Sequence, residues 1–139
     1  MVTEGTMTLQ HEGHHSVHLA PFEQDKFEGA WTTRCMGRGR DFNLMFADGC
    51  SGELQAIQIP FNGCYQADLQ CRQTGNEQAW ILFYCVDGSL KLTCGGESTV
   101  LHPGDLLLVD CRNLNEHIEL LFRCEDGPTA HVIRGKVSP

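Results

Sequence analysis

The sequence predicts an all-β protein built from two related halves. Three observations lead there. Short alternating or apolar runs recur along the whole chain, with Gly, Asn or Asp in most of the gaps. No long stretch carries helical periodicity. One hairpin pattern occurs twice. Many short strands joined by turn-rich connections point to a sandwich or a barrel.

The runs expected to be strands are 6–10, 16–20, 31–35, 42–47, 54–59, 79–86, 89–93, 99–101, 105–110, 117–124 and 130–134. The repeat is legible within them. Near the start the chain reads Gly5-Thr-Met-Thr-Leu-Gln-His-Glu-Gly13, then Val17, Leu19 and Pro21. Later it reads Gly88-Ser-Leu-Lys-Leu-Thr-Cys-Gly-Gly96, then Val100, Leu101 and Pro103. Each copy is a strand, a Gly-containing turn, a second strand and a Pro turn. Gly5 and Gly88 can supply the backbone angles of a tight turn, and Gly13 and Gly96 those of a hairpin tip.

The second copy has the fuller context. Trp80-Ile-Leu-Phe-Tyr-Cys-Val-Asp precedes it as a buried strand, and His102-Pro-Gly-Asp105 turns into the apolar run Leu106-Leu-Leu-Val109. Strand, Gly hairpin, Pro-Gly-Asp turn and strand make up the pattern of a cupin barrel. Only Met1-Val-Thr-Glu4 stands before the first copy. The expectation is therefore a cupin-like jelly-roll β-barrel or sandwich, a bicupin whose first half lacks its opening strand. Residues 1–50 would form the partial first half and connecting motif, and residues 51–139 the second half, packed as one unit. The open edge of such a jelly roll is suited to pairing with another chain, so a homodimer is expected.

Gly39-Arg-Asp-Phe-Asn-Leu-Met45, with Phe27-Glu-Gly29 upstream, is the most distinctive stretch. It resembles the HutD/Ves family of bicupin proteins, which carry a similar motif between their two halves. The resemblance spans about Gly5 to Ile133 and corresponds to the later part of a family member. It implies the bicupin fold and a regulatory or accessory ligand-binding role, with histidine utilisation or stress response as its setting.

Composition bounds the function. Apolar residues make up 41% of the 139 and charged residues 20%, the balance of a globular chain. The formal net charge is -8, and the ten Lys and Arg are mostly scattered, so nucleic acid is not an expected partner. The longest apolar runs are too short to cross a membrane, and no basic segment followed by an apolar stretch opens the chain. A cytoplasmic protein is expected. The eight cysteines form no C-x-x-C pair and are expected as free thiols, several of them buried.

Candidate chemistry lies in the first half. Arg34, Arg38 and Arg40 cluster, a pattern suited to a carboxylate or phosphate. Asp41 and Asn43 are two apart, so on a strand they would share a face and could fix a small polar ligand with a nearby Arg. Their alternative role is to stabilise a turn. Arg34, Arg40, Asp41 and Asn43 are the expected ligand-binding residues. The second half shows none of the paired histidines of metal-holding cupins, so no cofactor is expected. His11, His14, His15 and His18 crowd the first hairpin. The expected reading is a solvated tip, and a metal site of His11, His14 and His18 is the alternative. No nucleophile motif and no phosphate-binding Gly loop is present. The reading is a metal-independent cupin that binds a small polar metabolite. A cupin enzyme, isomerase-like or metal-dependent, and a non-catalytic interaction module are the alternatives.

Overall fold

The structure, a computed structural model, describes residues 1–71 and 79–139. Among these residues are nine strands: β1 (Val2–His11), β2 (Ser16–Leu19), β3 (Thr33–Asp41), β4 (Ser51–Pro60), β5 (Cys64–Cys71), β6 (Trp80–Cys94), β7 (Glu97–Leu101), β8 (Leu106–Asp110) and β9 (Glu116–Ser138). One short 3-10 helix, Cys111–Asn113, precedes β9. There is no α-helix among the described residues, and no helix long and apolar enough to cross a membrane. The chain divides into two compact units, Met1–Asn43 and Leu44–Pro139. The boundary expected after residue 50 lies inside the second.

The second unit is organised by its two long strands. The first part of β6 pairs with β8 and with the end of β9, while its second part pairs with β7 and with the start of β9. β4 lies on the C-terminal part of β9, and β5 on the N-terminal part. The register of β6 on β9 shifts around Cys85, Asp87 and Ser89, where both long strands change partners. The sheet therefore folds into two four-stranded parts, β5-β9-β6-β7 and β4-β9-β6-β8. The Phe83 ring from one part meets the Phe122 ring from the other at 4.8 Å. Ile57, Ile59, Leu69, Ile81, Leu90 and Leu120 fill the core with them.

Two details hold the bend. The Asp87 carboxylate accepts from the His131 backbone N–H at 2.9 Å and meets His131 Nδ1 at 2.8 Å. The Pro103-Gly104 turn, with Gly104 at φ +94°, bonds both ways to Cys85 through Asp105 O and Gly104 N–H. Burial, with Asp87 and Asp105 close by, pushes the Cys85 thiol up to about 11, so it packs as a small apolar group and is no nucleophile at neutral pH.

Four sequence-based expectations change. No ladder joins β4 to β5 or β7 to β8 among the described residues, so the sheet is folded but not a closed barrel. Residues 42–47 form no strand despite their apolar alternation: Phe42 exchanges backbone hydrogen bonds with Met1, and no ladder continues beyond it among the described residues. β5 was not expected at all. Its alternation rests on Ala67, Leu69 and Cys71 between Gln and Asp, residues of weak strand propensity that are buried by the β9 pairing. Cys71 and Cys111 form a disulfide, with Cα atoms 4.6 Å apart, where free thiols were expected. Their separation of 40 residues gives no sequence signal. The other six cysteines are free.

The first unit is a three-stranded antiparallel sheet in the order β2-β1-β3. Its buried apolar residues are Met1, Val2 and Leu19. Gly37 and Gly39 of β3 face Met7 and Gly5 of β1, and a Cβ on Gly39 would press on the Met7 side chain at 3.0 Å.

Candidate functional site

Strand alternation divides the first unit's chemistry between the two faces of its sheet. In the β1–β3 register His11 lies opposite Thr33, Arg34 opposite Gln10, Arg38 opposite Thr6 and Arg40 opposite Glu4. The three arginines therefore share one face, and His11 and Thr33 take the other.

The His11 face holds a built cluster. His11 is 2% exposed, the one buried polar residue among the described residues. Its Nδ1 meets Thr33 Oγ1 at 2.8 Å and its Nε2 meets Asp25 Oδ2 at 2.9 Å. His15 Nε2 meets the same Asp25 oxygen at 2.9 Å. The turn sets this up locally. His11 N–H donates to His15 O and His14 N–H to His11 O, so the four residues of the tip bring His11 and His15 together. Asp25 arrives from the segment after β2, with its Oδ1 accepting from the Lys26 N–H at 2.9 Å.

Aromatic rings wall the cluster. Phe27 lies 4.4 Å from the His11 ring, and Trp31 packs edge-on to both His11 and His15. Burial pushes the Asp25 carboxyl up, but the hydrogen bonds from His15, His11 and Lys26 outweigh it and hold the group below the usual carboxylate value. The imidazole nitrogens of His11 and His15 and an oxygen of Asp25 all lie within 4.8 Å of one another, a set able to hold a metal ion.

The histidines named from the sequence do not assemble as a trio. His11 joins the cluster, His14 stacks on Trp31 at 3.7 Å, and His18 Nδ1 bonds Thr8 Oγ1 at 3.0 Å. Sequence reasoning missed Asp25, Thr33 and Trp31. Asp25 carries no spacing signal toward His11, because only the course of the chain after β2 returns it to the tip.

The arginine face is open. Arg34 pairs with Glu12 at 2.7 Å, and Arg40 with Glu4 at 3.4 Å; all four side chains are well exposed. Arg38 stands between them and has no acidic partner among the described residues. Asp41 ends β3 at the register position of Val2, on the face away from the arginines. Asn43 follows the strand and is exposed. Arg34 and Arg40 thus share a face of β3 but stand six residues, about 20 Å, apart along it, and Asp41 lies on the other face.

Two antiparallel sheets built on twice-used hairpins, one of them folded over its own core, define an all-β protein. The family model described as HutD matches residues 1–126, and the chain belongs to the HutD family. Among solved structures it is similar to PA5104, a conserved protein of unknown function from Pseudomonas aeruginosa. Identity there is 18% and the TM-score 0.75, covering 99% of this chain and 67% of that one, a likeness of fold. It is also similar to the Cnp3 cupin domain of Schizosaccharomyces pombe, at 8% identity and TM-score 0.49 over 76% of this chain and 74% of that one. A cupin protein from Bacteroides fragilis gives 13% identity and TM-score 0.47, covering 71% and 86%. No curated protein matches the chain.

Proposed function

We propose that this HutD-family chain binds a small anionic metabolite on the arginine face of β3 and serves an accessory or regulatory role. One observation carries the reading: Arg38 lies without an acidic partner among the described residues, flanked on the same face by Arg34 and Arg40. Side chains two apart on a strand are about 7 Å apart along it, so Arg38 and Arg40 can each take one end of a short dicarboxylate. Guanidinium groups suit carboxylates through paired hydrogen bonds. Thr6 and Thr8 of β1 face the same side and add hydroxyls, as binding sites add a few convergent polar groups. Asn43, beyond the end of the strand, is the remaining candidate contact.

The test is calorimetric titration of untagged protein with a panel of mono- and dicarboxylates and inorganic phosphate. A saturable dicarboxylate complex is expected, weakened at least tenfold in Arg38→Gln with the melting temperature unchanged. Asn43→Ala decides whether that amide belongs to the site. Binding by none of the panel, or equal binding by Arg38→Gln, would remove the reading.

A further inference from the structure

The tip of the first hairpin presents a different chemistry on the opposite face of the same sheet. We propose that His11, His15 and Asp25 form a binding site for a first-row divalent cation such as zinc, with coordination positions open to water.

Convergence is the first argument. Two imidazole nitrogens meet one carboxylate oxygen at 2.9 Å each. All three atoms can act as acceptors, so something must lie between them: either protons on the two Nε2 atoms, donated to the carboxylate, or a metal ion. With ligand bonds of about 2.1 Å, neighbouring donors on a metal stand about 3.0 Å apart at a right angle and about 3.4 Å apart at a tetrahedral angle. The 2.9 Å separations need widen only by a few tenths of an ångström to admit an ion.

Orientation is the second. The His11 side chain is fully buried, and Thr33 Oγ1 holds its Nδ1 at 2.8 Å, so the ring cannot turn away from Asp25. The Thr33 hydroxyl also points to Trp31 O, at 3.5 Å, and in donating there it leaves a lone pair for Nδ1–H. With an ion bound, that tautomer would turn the Nε2 lone pair onto it; without one, Nε2–H donates to Asp25 instead. A hydrogen-bonded far nitrogen is the usual support of a metal-bound histidine. Asp25 Oδ1 is held in turn by the Lys26 N–H.

Access is the third. Side-chain exposure rises from 0% at His11 through 15% at Asp25 to 41% at His15. The set is closed on the side of Phe27 and Trp31 and open beside His15. Three protein ligands with an open side are the pattern of exchangeable or catalytic sites, whereas structural zinc takes four protein ligands. Two imidazoles and one carboxylate suit zinc, iron or nickel better than calcium or magnesium. The group Asp68, His117 and Glu119 in the second unit is exposed at all three members, and among the described residues its imidazole has only loose ion pairs at 3.8 and 3.9 Å.

The test uses untagged, chelator-treated full chain, titrated with zinc in calorimetry and with cobalt followed by visible absorption. One ion per chain is expected, with the cobalt bands of nitrogen and oxygen ligation. His15→Ala and Asp25→Asn should each weaken binding at least tenfold, and Thr33→Val about tenfold through the loss of its support to His11. His14→Ala and His18→Ala should bind within twofold of the parent. His15 is exposed, so its variant stays folded, which far-ultraviolet circular dichroism checks. No saturable binding, or binding that falls equally with His14→Ala or His18→Ala, would overturn the site in favour of loose capture by a histidine-rich tip.

Discussion

The two copies of the hairpin share a backbone plan and differ in what surrounds it. Gly5 and Gly88 both sit inside a strand at positive φ, +74° and +73°, each at or next to a shift of register. Each strand then turns at a glycine-bearing tip and pairs with the returning strand, β2 or β7. The tips differ. β6 and β7 are joined by Gly95 and Gly96 alone, at φ +56° and +87°, a tight two-residue turn. β1 and β2 are joined by four residues, and the position matching exposed Cys94 is buried His11. The second unit holds its copy with a large apolar core, whereas the first buries Met1, Val2, Leu19 and an imidazole. Apolar packing is non-directional, while a buried imidazole needs a partner at each nitrogen. The first tip is therefore the more specific and the more vulnerable, and the chemistry gathers there.

The largest expected effect lies in the second unit. Phe122→Ala removes a ring packed on Phe83 and Tyr65 and should cost about 3–5 kcal/mol in denaturant unfolding followed by the Trp80 signal. A cost under 1 kcal/mol would mean that the two parts of the folded sheet do not depend on this contact.

The glycine pair tests the shared plan. Gly5→Ala and Gly88→Ala each force a side chain into the left-handed region, at about 1–2 kcal/mol for the backbone alone. Each also meets an obstacle, the Arg38 carbonyl for Gly5 and Ala130 at 2.7 Å for Gly88. Both variants should lose stability by more than the backbone cost, each measured by thermal unfolding. If only one does, the copies share sequence but not geometry.

A smaller effect separates the polar tip from the apolar core through pH. The carboxyl of Asp25 is lower in the folded than in the unfolded protein. Its contribution is therefore fully present above the unfolded value, near about 4, and is lost as pH falls through the lowered folded value. Asp25→Asn should be less stable than the parent at neutral pH, and the two should converge below about pH 4. A difference that persists unchanged into acid would show that the Asp25 charge is not what holds the tip.

Much of this fold could be read from residues. Gly5, Gly13, Gly88 and Gly96 marked both hairpins because positive φ leaves so few alternatives to glycine, and all four adopt it. The His102–Asp105 turn was equally plain. β5 escaped because its polar residues conceal a buried Ala, Leu and Cys, and residues 42–47 misled because alternation says nothing about the presence of a partner strand. The histidine cluster was visible, but its membership was not. Strand spacing favoured His14 and His18, yet His14 and His15 lie in the turn, where period-two reasoning fails. Asp25 and Thr33 come to His11 through tertiary structure alone. The arginines were found in sequence, and β3 extends through them to Asp41, six residues beyond the strand expected to end at 35.

The central claim is that a polar cluster, and not an apolar core, holds the first hairpin. Native-state amide hydrogen exchange, read residue by residue on the parent and on Asp25→Ala, tests it most directly. Removing the carboxylate leaves the buried His11 unpaired at Nε2, a loss of about 1–3 kcal/mol. Protection should fall by about ten- to a hundredfold across the ends of β1, β2 and β3 at the tip, with β6 and β9 unchanged. Unchanged protection at the tip, or an equal loss through β6 and β9, would contradict the account.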